Sequence, residues 1–160
     1  QLGDIEGVEI RRVVSALDML EECKKLFADC DILIMSAAVS DVRPAERLER
    51  KAGKEDIDLN PRLERNPDIL KTLSKDKGAR VLVGFAAQTH DIMKYAKIKL
   101  SEKNLDCIVA NNVASGSYGF ASDMNKIEVL MRSGEVVDFE PDGKYELAKK
   151  LVAFLNERFF

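Results

Sequence analysis

Continuous apolar runs bounded by polar residues predict three buried strands in this chain. They cover residues 31–35, 80–85 and 105–110. A run without apolar–polar alternation is typical of a parallel strand that has both faces covered. Small, polar or flexible residues follow each run, as at the carboxyl ends of strands in an open α/β sheet, where ligands bind. We therefore expect Ala38, Ala86 and Asn111 to lie at one shared edge.

Helical spacing and capping signals predict helices between these strands. Ser15, followed three residues later by Asp18, indicates a capping box at the start of an amphipathic helix. Residues 66–68, Asn-Pro-Asp, predict a second helix in which the asparagine is the N-cap and the proline the first helical residue. Residues 91–103 and a segment from about Lys144 predict two more helices.

Two segments depart from this alternation of strands and helices. Residues 126–132 and 136–139 flank a Ser-Gly pair and predict a β-hairpin. Residues 44–65 are strongly charged, and within them Ile57 and Leu59 alternate with polar residues. This second segment predicts an exposed loop or ribbon outside the main sheet.

Length and composition restrict the fold class. A chain of 160 residues, 46% of them hydrophobic, is long enough for one domain with a substantial core. We expect a single α/β domain over residues 1–160, with a mostly parallel sheet, helices on both faces and right-handed crossovers. The formal net charge of −3 gives no global basic field for binding nucleic acid or an anionic membrane.

The remaining composition indicates a cytoplasmic protein. No stretch approaches the roughly 18 apolar residues of a membrane span, and the first residues lack the pattern of a signal peptide. Cys23, Cys30 and Cys107 form neither a C-x-x-C motif nor a Cys/His cluster. We therefore expect neither a disulfide framework nor a zinc site.

Several polar residues are candidates for chemistry, each with an ordinary structural alternative. Lys99 borders the apolar stripe of the helix predicted over residues 91–103, so it either extends to solvent or reaches the crevice. Asp91 is either an N-cap or helps to hold a cation or nucleotide. Lys51 and Lys54 either grip a phosphate or are ordinary charged surface. His90, the one histidine, has no visible partner and is interpreted as a loop residue.

A set of motifs, in this order and spacing, carries a family resemblance. They are residues 37–44, the lysine-rich loop, and residues 66–70, 84–87, Lys99, 106–111 and 119–125. Together they resemble bacterial phosphopantothenoylcysteine synthetase, the ligase half of a bifunctional flavoprotein of coenzyme A biosynthesis. The resemblance implies a three-layer Rossmann-like domain with a β-ribbon extension, and a homodimer formed through that ribbon.

The resemblance also implies a reaction and its participants. The expected activity is a CTP-dependent ligation of 4'-phosphopantothenate with cysteine, with Mg²⁺ accompanying the triphosphate. The carboxylate is first activated as an acyl-cytidylate, with release of pyrophosphate. Cysteine then attacks and CMP leaves. A decarboxylase domain that binds FMN is the expected fusion partner.

Site residues carry over from the family position by position. Lys99 matches the lysine that contacts the nucleotide phosphates and supports turnover of the intermediate. The other nucleotide-binding residues that the resemblance implies are Ala86, Ala87, Asn111 and Phe120. Asp91, at the start of the following helix, is added to them as a candidate from its position alone. Asp41, Lys51 and Lys54 match the substrate-binding region and its flap, and no residue is expected to be a dedicated metal ligand.

The chain departs from the family pattern in two respects. Gln88 and Asn112 stand where glutamate and aspartate are usual, which removes two negative charges near the site. The family's first strand, its glycine-rich loop and an asparagine needed for activation would precede Gln1. We therefore expect the chain by itself to fold but not to catalyse ligation.

Two other classes of function fit the same pattern. One is a nucleotide-dependent oxidoreductase, although no G-x-G-x-x-G motif follows any predicted strand. The other is a non-catalytic dimerisation or regulatory module. Titration with CTP and NADPH would separate the first of these from the ligase.

Overall fold

The computed structural model describes residues 5–46, 48, 50, 53–55, 57–88, 92–112 and 123–160. These residues form two compact units, Gln1–Ala28 with Ala38–Ile69 and Asp29–Ala37 with Leu70–Phe160. That residues 1–160 form a single domain remains a prediction.

The described residues of the first unit form one helix and one small sheet. Helix α1 covers Ala16–Phe27, and strands β2 (Val42–Pro44) and β3 (Leu63–Arg65) pair as an antiparallel ribbon. The predicted capping box is confirmed, because the Ser15 hydroxyl accepts from the Asp18 amide at 3.1 Å and the Asp18 carboxylate accepts from the Ser15 amide at 3.0 Å.

The second unit is built on a five-stranded sheet. Its strands are β1 (Ile32–Met35), β4 (Val81–Gln88), β5 (Cys107–Asn112), β6 (Met124–Met131) and β7 (Val136–Gly143). Its helices are α3 (Ile92–Glu102) and α4 (Lys144–Phe159), and a short helix α2 (Ile69–Leu73) leads into it. The three predicted strands and the predicted hairpin are confirmed, and β4 and β5 are buried as expected. The expectation that residues 31–35 form a buried central strand is wrong, because β1 is the edge strand of this sheet and Ile34 is 37% exposed.

The sheet is mixed, so the expectation of a mostly parallel sheet is wrong. Its order is β1-β4-β5-β6-β7. Strands β1, β4 and β5 are parallel, whereas β6 pairs antiparallel with both β5 and β7. The sequence predicts the hairpin but not its pairing with β5. The pattern of apolar residues in one strand does not indicate which strand lies beside it in the sheet. The hairpin therefore extends the main sheet.

The core of the second unit lies against alternate residues of the sheet. Val83, Val109 and Val129 point to the face that α4 covers with Leu147, Leu151 and Leu155. Each of these six side chains is at most 5% exposed. Since successive residues of a strand point to opposite faces, Leu82 and Leu130, also fully buried, pack on the other side.

Gly84 marks a close approach on that second face. A Cβ atom at this position would lie 2.7 Å from Leu105 Cδ1 and 3.4 Å from Leu70 Cδ1. Real Cβ atoms do not approach other carbons that closely, so a larger residue here would force the Leu105 side chain to shift. Helices or their flanking turns thus cover both faces of the sheet.

The expectation of an exposed loop or ribbon outside the main sheet over residues 44–65 is confirmed: β2 and β3 form a separate ribbon, and Ile57 and Leu59 between them are exposed. One expectation about α2 is wrong. Asn66 is not the residue before α2, which begins at Ile69. Its amide group instead donates to the Ser40 carbonyl and accepts from Arg43, and so holds the end of the ribbon.

None of the helices among the described residues combines the length and apolar character needed to cross a membrane.

Candidate functional site

The parallel strands β1, β4 and β5 end at the same edge of the sheet, which we call the carboxyl edge. Met35, the last residue of β1, pairs with Gly84, and Ala87 of β4 pairs with Asn111 of β5. The expectation that Ala86 and Asn111 lie together at this edge is therefore confirmed. Ala38 belongs to the other unit, so its place relative to them stays a prediction.

Small residues line one face of the sheet near the carboxyl edge. Ala86 pairs with Ala110, and these alanines are 1% and 2% exposed. Gly84 precedes them on the same face. Larger side chains share this face at Leu82 and Ile108, farther from the edge, and at Met35, which pairs with Gly84. Gly84, Ala86 and Ala110 therefore form a strip of small residues along β4 and β5.

Asn111 lies on the opposite face, between two strands. It pairs with Ala87 on one side and with Ile127 of β6 on the other, and its side chain is half-buried. The backbone of Ala87, Gln88 and Asn112 continues the same ladder. The effect of the two missing carboxylates at Gln88 and Asn112 stays a prediction.

Lys99 lies in the last turn of α3. The helix leaves the carboxyl edge after β4 and returns to the start of β5, so Lys99 lies about 10 Å along its axis from Ile92, at 1.5 Å per residue. The side chain is half-buried beside Ala96 and Leu100, which are 0% and 9% exposed. Within the described part of the chain it makes no salt bridge. The backbone position alone does not bring Lys99 to the edge, and its role stays a prediction.

The other predicted site residues lie either in the first unit or outside the residues that the structure describes. Asp41 and Lys54 are exposed residues of the first unit. The Asp41 carbonyl accepts from the Asn66 amide at 2.8 Å, which is a structural contact. Lys51, His90, Asp91 and Phe120 lie outside the described residues, so their roles stay predictions.

Arg43 organises the first unit and has no role in the sequence analysis. Its guanidinium donates to the Arg65 carbonyl at 2.8 Å, to the Asn66 side chain at 3.2 Å and to the Glu64 carboxylate at 3.1 Å. These bonds join β2 to β3 through side chains as well as backbone. No local signal in the sequence indicates these bonds, because their acceptors lie more than 20 positions further along the chain.

A second missed feature is the ion pair of Lys77 and Asp106, at the amino edge of the sheet. Lys77 Nζ lies 2.6 Å from Asp106 Oδ1, and the side chains are only 11% and 19% exposed. The other carboxylate oxygen, Oδ2, accepts from the Leu82 amide at 2.7 Å. The sequence signal was an aspartate directly before a buried strand.

Two of the thiols, Cys107 and Cys30, are poor nucleophiles. The pKa of Cys107 is raised to about 12, chiefly by burial and to a smaller extent by the nearby Asp106, with Lys77 partly opposing them. Burial also raises the pKa of Cys30. Because the thiolate is the reactive form, neither is suited to covalent catalysis near neutral pH. Among the described residues, no cluster of three or more His, Cys, Asp or Glu could hold a metal ion.

Comparison with known proteins identifies similar sequences and folds. The chain is 43% identical over 149 residues to the coenzyme A biosynthesis bifunctional protein CoaBC of Bacillus subtilis (strain 168). The alignment covers 91% of this chain but 37% of that protein, so the chain spans less than half the length of this relative.

Solved structures agree. The crystal structure of the C-terminal domain of coenzyme A biosynthesis bifunctional protein CoaBC has a TM-score of 0.80 and 32% identity, covering 98% of this chain and 69% of that one. A complex of a Cab2 mutant with phosphopantothenate-cysteine has a TM-score of 0.60 at 16% identity over 80% of this chain and 45% of that one, a likeness of fold alone. The family model described as DNA/pantothenate metabolism flavoprotein C-terminal domain matches residues 1–158. The chain belongs to this family, that of the phosphopantothenoylcysteine synthetase domain.

Proposed function

We propose that this chain is part of a phosphopantothenate–cysteine ligase that uses CTP. The observation that carries the proposal is the pairing of Ala87 with Asn111 at the carboxyl edge. The resemblance assigns both segments to the nucleotide, and the register places them side by side where α/β sheets bind ligands. The family match over residues 1–158 supports the same activity.

The proposed chemistry begins with a carboxylate that does not react with an amine directly. The carboxylate of 4'-phosphopantothenate attacks the α-phosphorus of CTP, the bond to the β-phosphate breaks, and pyrophosphate leaves. The amine of cysteine then attacks the carbonyl of the acyl-cytidylate. An amide forms, the amine loses a proton, and CMP leaves.

Each part of the site has a proposed task in this reaction. Lys99 supplies a positive charge to the nucleotide phosphates, as preorganised charges do at transferring phosphoryl groups. Ala86 and Ala87 leave room for the nucleotide to approach the backbone. The remaining nucleotide-binding residues are Asp91, Asn111 and Phe120. Asp41, Lys51 and Lys54 belong to the substrate-binding region and its flap.

Mg²⁺ is proposed to bind chiefly to the phosphates of CTP. Because the described residues contain no cluster of three or more metal-binding side chains, we assign no protein ligand to the ion. Mg²⁺ commonly keeps several waters and binds through substrate phosphates in such sites. FMN belongs to the decarboxylase half of the bifunctional relatives by resemblance, and no residue of this chain is proposed to bind it.

The choice of nucleotide tests this function. In the native protein that contains this chain, we expect CTP to support ligation at least about tenfold better than ATP in kcat/KM. The reason is that the resemblance is to the CTP-using branch, which implies a base pocket made largely by backbone groups and not by charged side chains. Pyrophosphate release with 4'-phosphopantothenate and cysteine at matched Mg²⁺ is the measurement. Equal turnover with both nucleotides would refute the assignment, and chelation of Mg²⁺ should stop the reaction with CTP.

We also propose a three-layer, Rossmann-like arrangement and a two-fold homodimer formed through the ribbon region. Val42 and Leu63, the first residues of β2 and β3 and so at opposite ends of the ribbon, are 41% and 56% exposed, and Leu59 is 87% exposed. An isolated two-stranded ribbon is marginal in water, and exposed apolar residues of this kind favour an interface. We expect light scattering to give the mass of a dimer, and Leu59→Asp to weaken it. A monomer at high concentration would contradict the proposal.

A cytoplasmic location is proposed from two considerations. The relatives named above are enzymes of coenzyme A biosynthesis. Cys23, Cys30 and Cys107 are not joined in disulfides in the structure, as is usual in a reducing compartment.

A further inference from the structure

The C-terminal end of α3 is held by side chains from two other segments. Asn104, just past the helix, has a φ of 51°, a left-handed conformation that closes helices and that asparagine adopts more readily than most residues. Lys77 Nζ donates to the Asn104 carbonyl at 3.3 Å. The Arg132 guanidinium donates to the Asn104 side chain. Both partners approach the turn that follows Lys99 and Lys103.

The same lysine connects this turn to the sheet. Lys77 Nζ contacts Asp106 Oδ1 at 2.6 Å, and Asp106 Oδ2 accepts from the Leu82 amide at 2.7 Å. The Asp106 amide also donates to the Leu82 carbonyl at 2.9 Å. With both charged side chains largely shielded from water, the pair is screened less than an exposed salt bridge. The end of α3 is therefore fastened to β4 through side-chain atoms.

Lys99 lies about one helical turn before Asn104, the residue that Lys77 contacts. Its carbonyl accepts from the Lys103 amide at 3.0 Å, and the next carbonyl, of Leu100, accepts from the Leu105 amide at 3.0 Å. A shift of Asn104 would therefore move the backbone from which the Lys99 side chain extends. A long lysine side chain can reach many places, so its use on a phosphate depends on where its backbone is held.

We propose that Lys77 and Asp106 are positioning residues for Lys99. This proposal rests on the function proposed above. The pair fixes the position of the last turn of α3, and so keeps the Lys99 ammonium group within reach of the nucleotide phosphates. Neither residue touches the substrate in this proposal. The pair acts through Asn104 and the last helical hydrogen bonds, and its effect on the reaction passes through Lys99 alone.

A double-mutant cycle in the native protein tests this coupling. Asp106→Asn keeps an acceptor for the Leu82 amide but removes the charge that holds Lys77. We expect it to lower kcat for ligation by about tenfold, since small misplacements of a catalytic group are costly. In the Lys99→Gln background the same substitution should lower kcat less than about twofold, because the group it positions is gone.

Hydrogen exchange gives a readout independent of activity. Asp106→Asn should speed exchange of the Lys103, Asn104 and Leu105 amides by about tenfold, with the β6 and β7 amides unchanged. The matched control is Lys150→Gln, which breaks the exposed Lys150–Asp142 pair, 2.7 Å long, and should alter neither exchange at α3 nor kcat.

Each outcome decides the proposal. Equal losses of kcat in both backgrounds, or unchanged exchange at the end of α3, would overturn the positioning role even if ligation itself is normal. Absence of ligation by the unsubstituted native protein would overturn the proposed function, and the catalytic role of the pair with it. Retained activity in Lys99→Gln would likewise remove the group that the pair is proposed to position.

Discussion

Lys99→Gln is expected to lower kcat/KM for ligation in the native protein by roughly 30- to 1000-fold. This corresponds to the loss of about 2–4 kcal/mol that follows removal of one preorganised electrostatic group from a transition state. Glutamine keeps much of the stem that packs beside Ala96 and Leu100, so the fold should survive. The measurement is the initial rate of pyrophosphate release, with circular dichroism as the check on folding.

Lys97→Gln is the matched control for this substitution. Lys97 lies on the same helix, carries the same charge and is exposed. We expect its replacement to leave ligation within about twofold of the unsubstituted protein, since an exposed charge is screened by solvent and salt. Near-normal activity of Lys99→Gln, or an equal loss in both variants, would return Lys99 to the role of a surface lysine.

Gly84→Ala should lower the free energy of unfolding by about 2 kcal/mol, within the range for an overpacked core. The added Cβ would lie 2.7 Å from Leu105 Cδ1, and Leu105 is only 1% exposed, so its side chain would have to shift within the buried core. Urea denaturation followed by circular dichroism measures the change. We expect the same substitution to cost much less when Leu105 is also replaced by alanine.

Gly143→Ala separates this clash from the general effect of replacing a glycine. Gly143 has an ordinary φ of −60°, and a Cβ there meets nothing within 4 Å. Because Gly143 precedes α4, alanine should cost only about 0.5 kcal/mol as a poorer N-cap. If both alanine variants lost the same stability, close packing would not be the reason for glycine at position 84.

Local signals in the sequence predicted most elements of the fold. The Ser15 capping box and the Ser-Gly turn between β6 and β7 depend on residues a few positions apart, and both are confirmed. The turn has Gly134 at a φ of 93°, which glycine adopts without strain. Such features depend little on the rest of the chain, so a pattern within ten residues is enough to identify them.

Features that depend on distant partners were not predictable in the same way. The mixed sheet results from the pairing of β6 with β5, and the Lys77–Asp106 pair joins residues far apart in sequence. Asn66 fits a helix N-cap locally, yet its amide bonds to Ser40 and Arg43 instead. In each case the local sequence is compatible with several structures, and a contact with a residue distant in sequence determines which of them forms.

Part of the candidate site could be predicted from local patterns in the sequence, and part of it came only from the family resemblance. Placing Ala86 beside Asn111 required only the parallel orientation of two strands, and the structure has them in adjacent register. The task of Lys99 came from the resemblance, because the helical pattern alone allows either an extension to solvent or a reach to the crevice. The periodicity of a helix predicts the face of the helix on which a residue lies. It does not predict where the ammonium group of a lysine lies, because four flexible methylenes separate that group from the backbone.

The order of strands in the sheet also bears on how the second unit folds. Strands β4, β5, β6 and β7 are neighbours in the sheet and successive in the chain, whereas β1 joins β4 only across the whole segment that contains the ribbon. Contacts between nearby residues close small loops and form quickly, while long loops cost more entropy to close. We expect the β6–β7 hairpin to be an early nucleus and β1 to dock last, which makes the β1 edge the first part of the sheet to open.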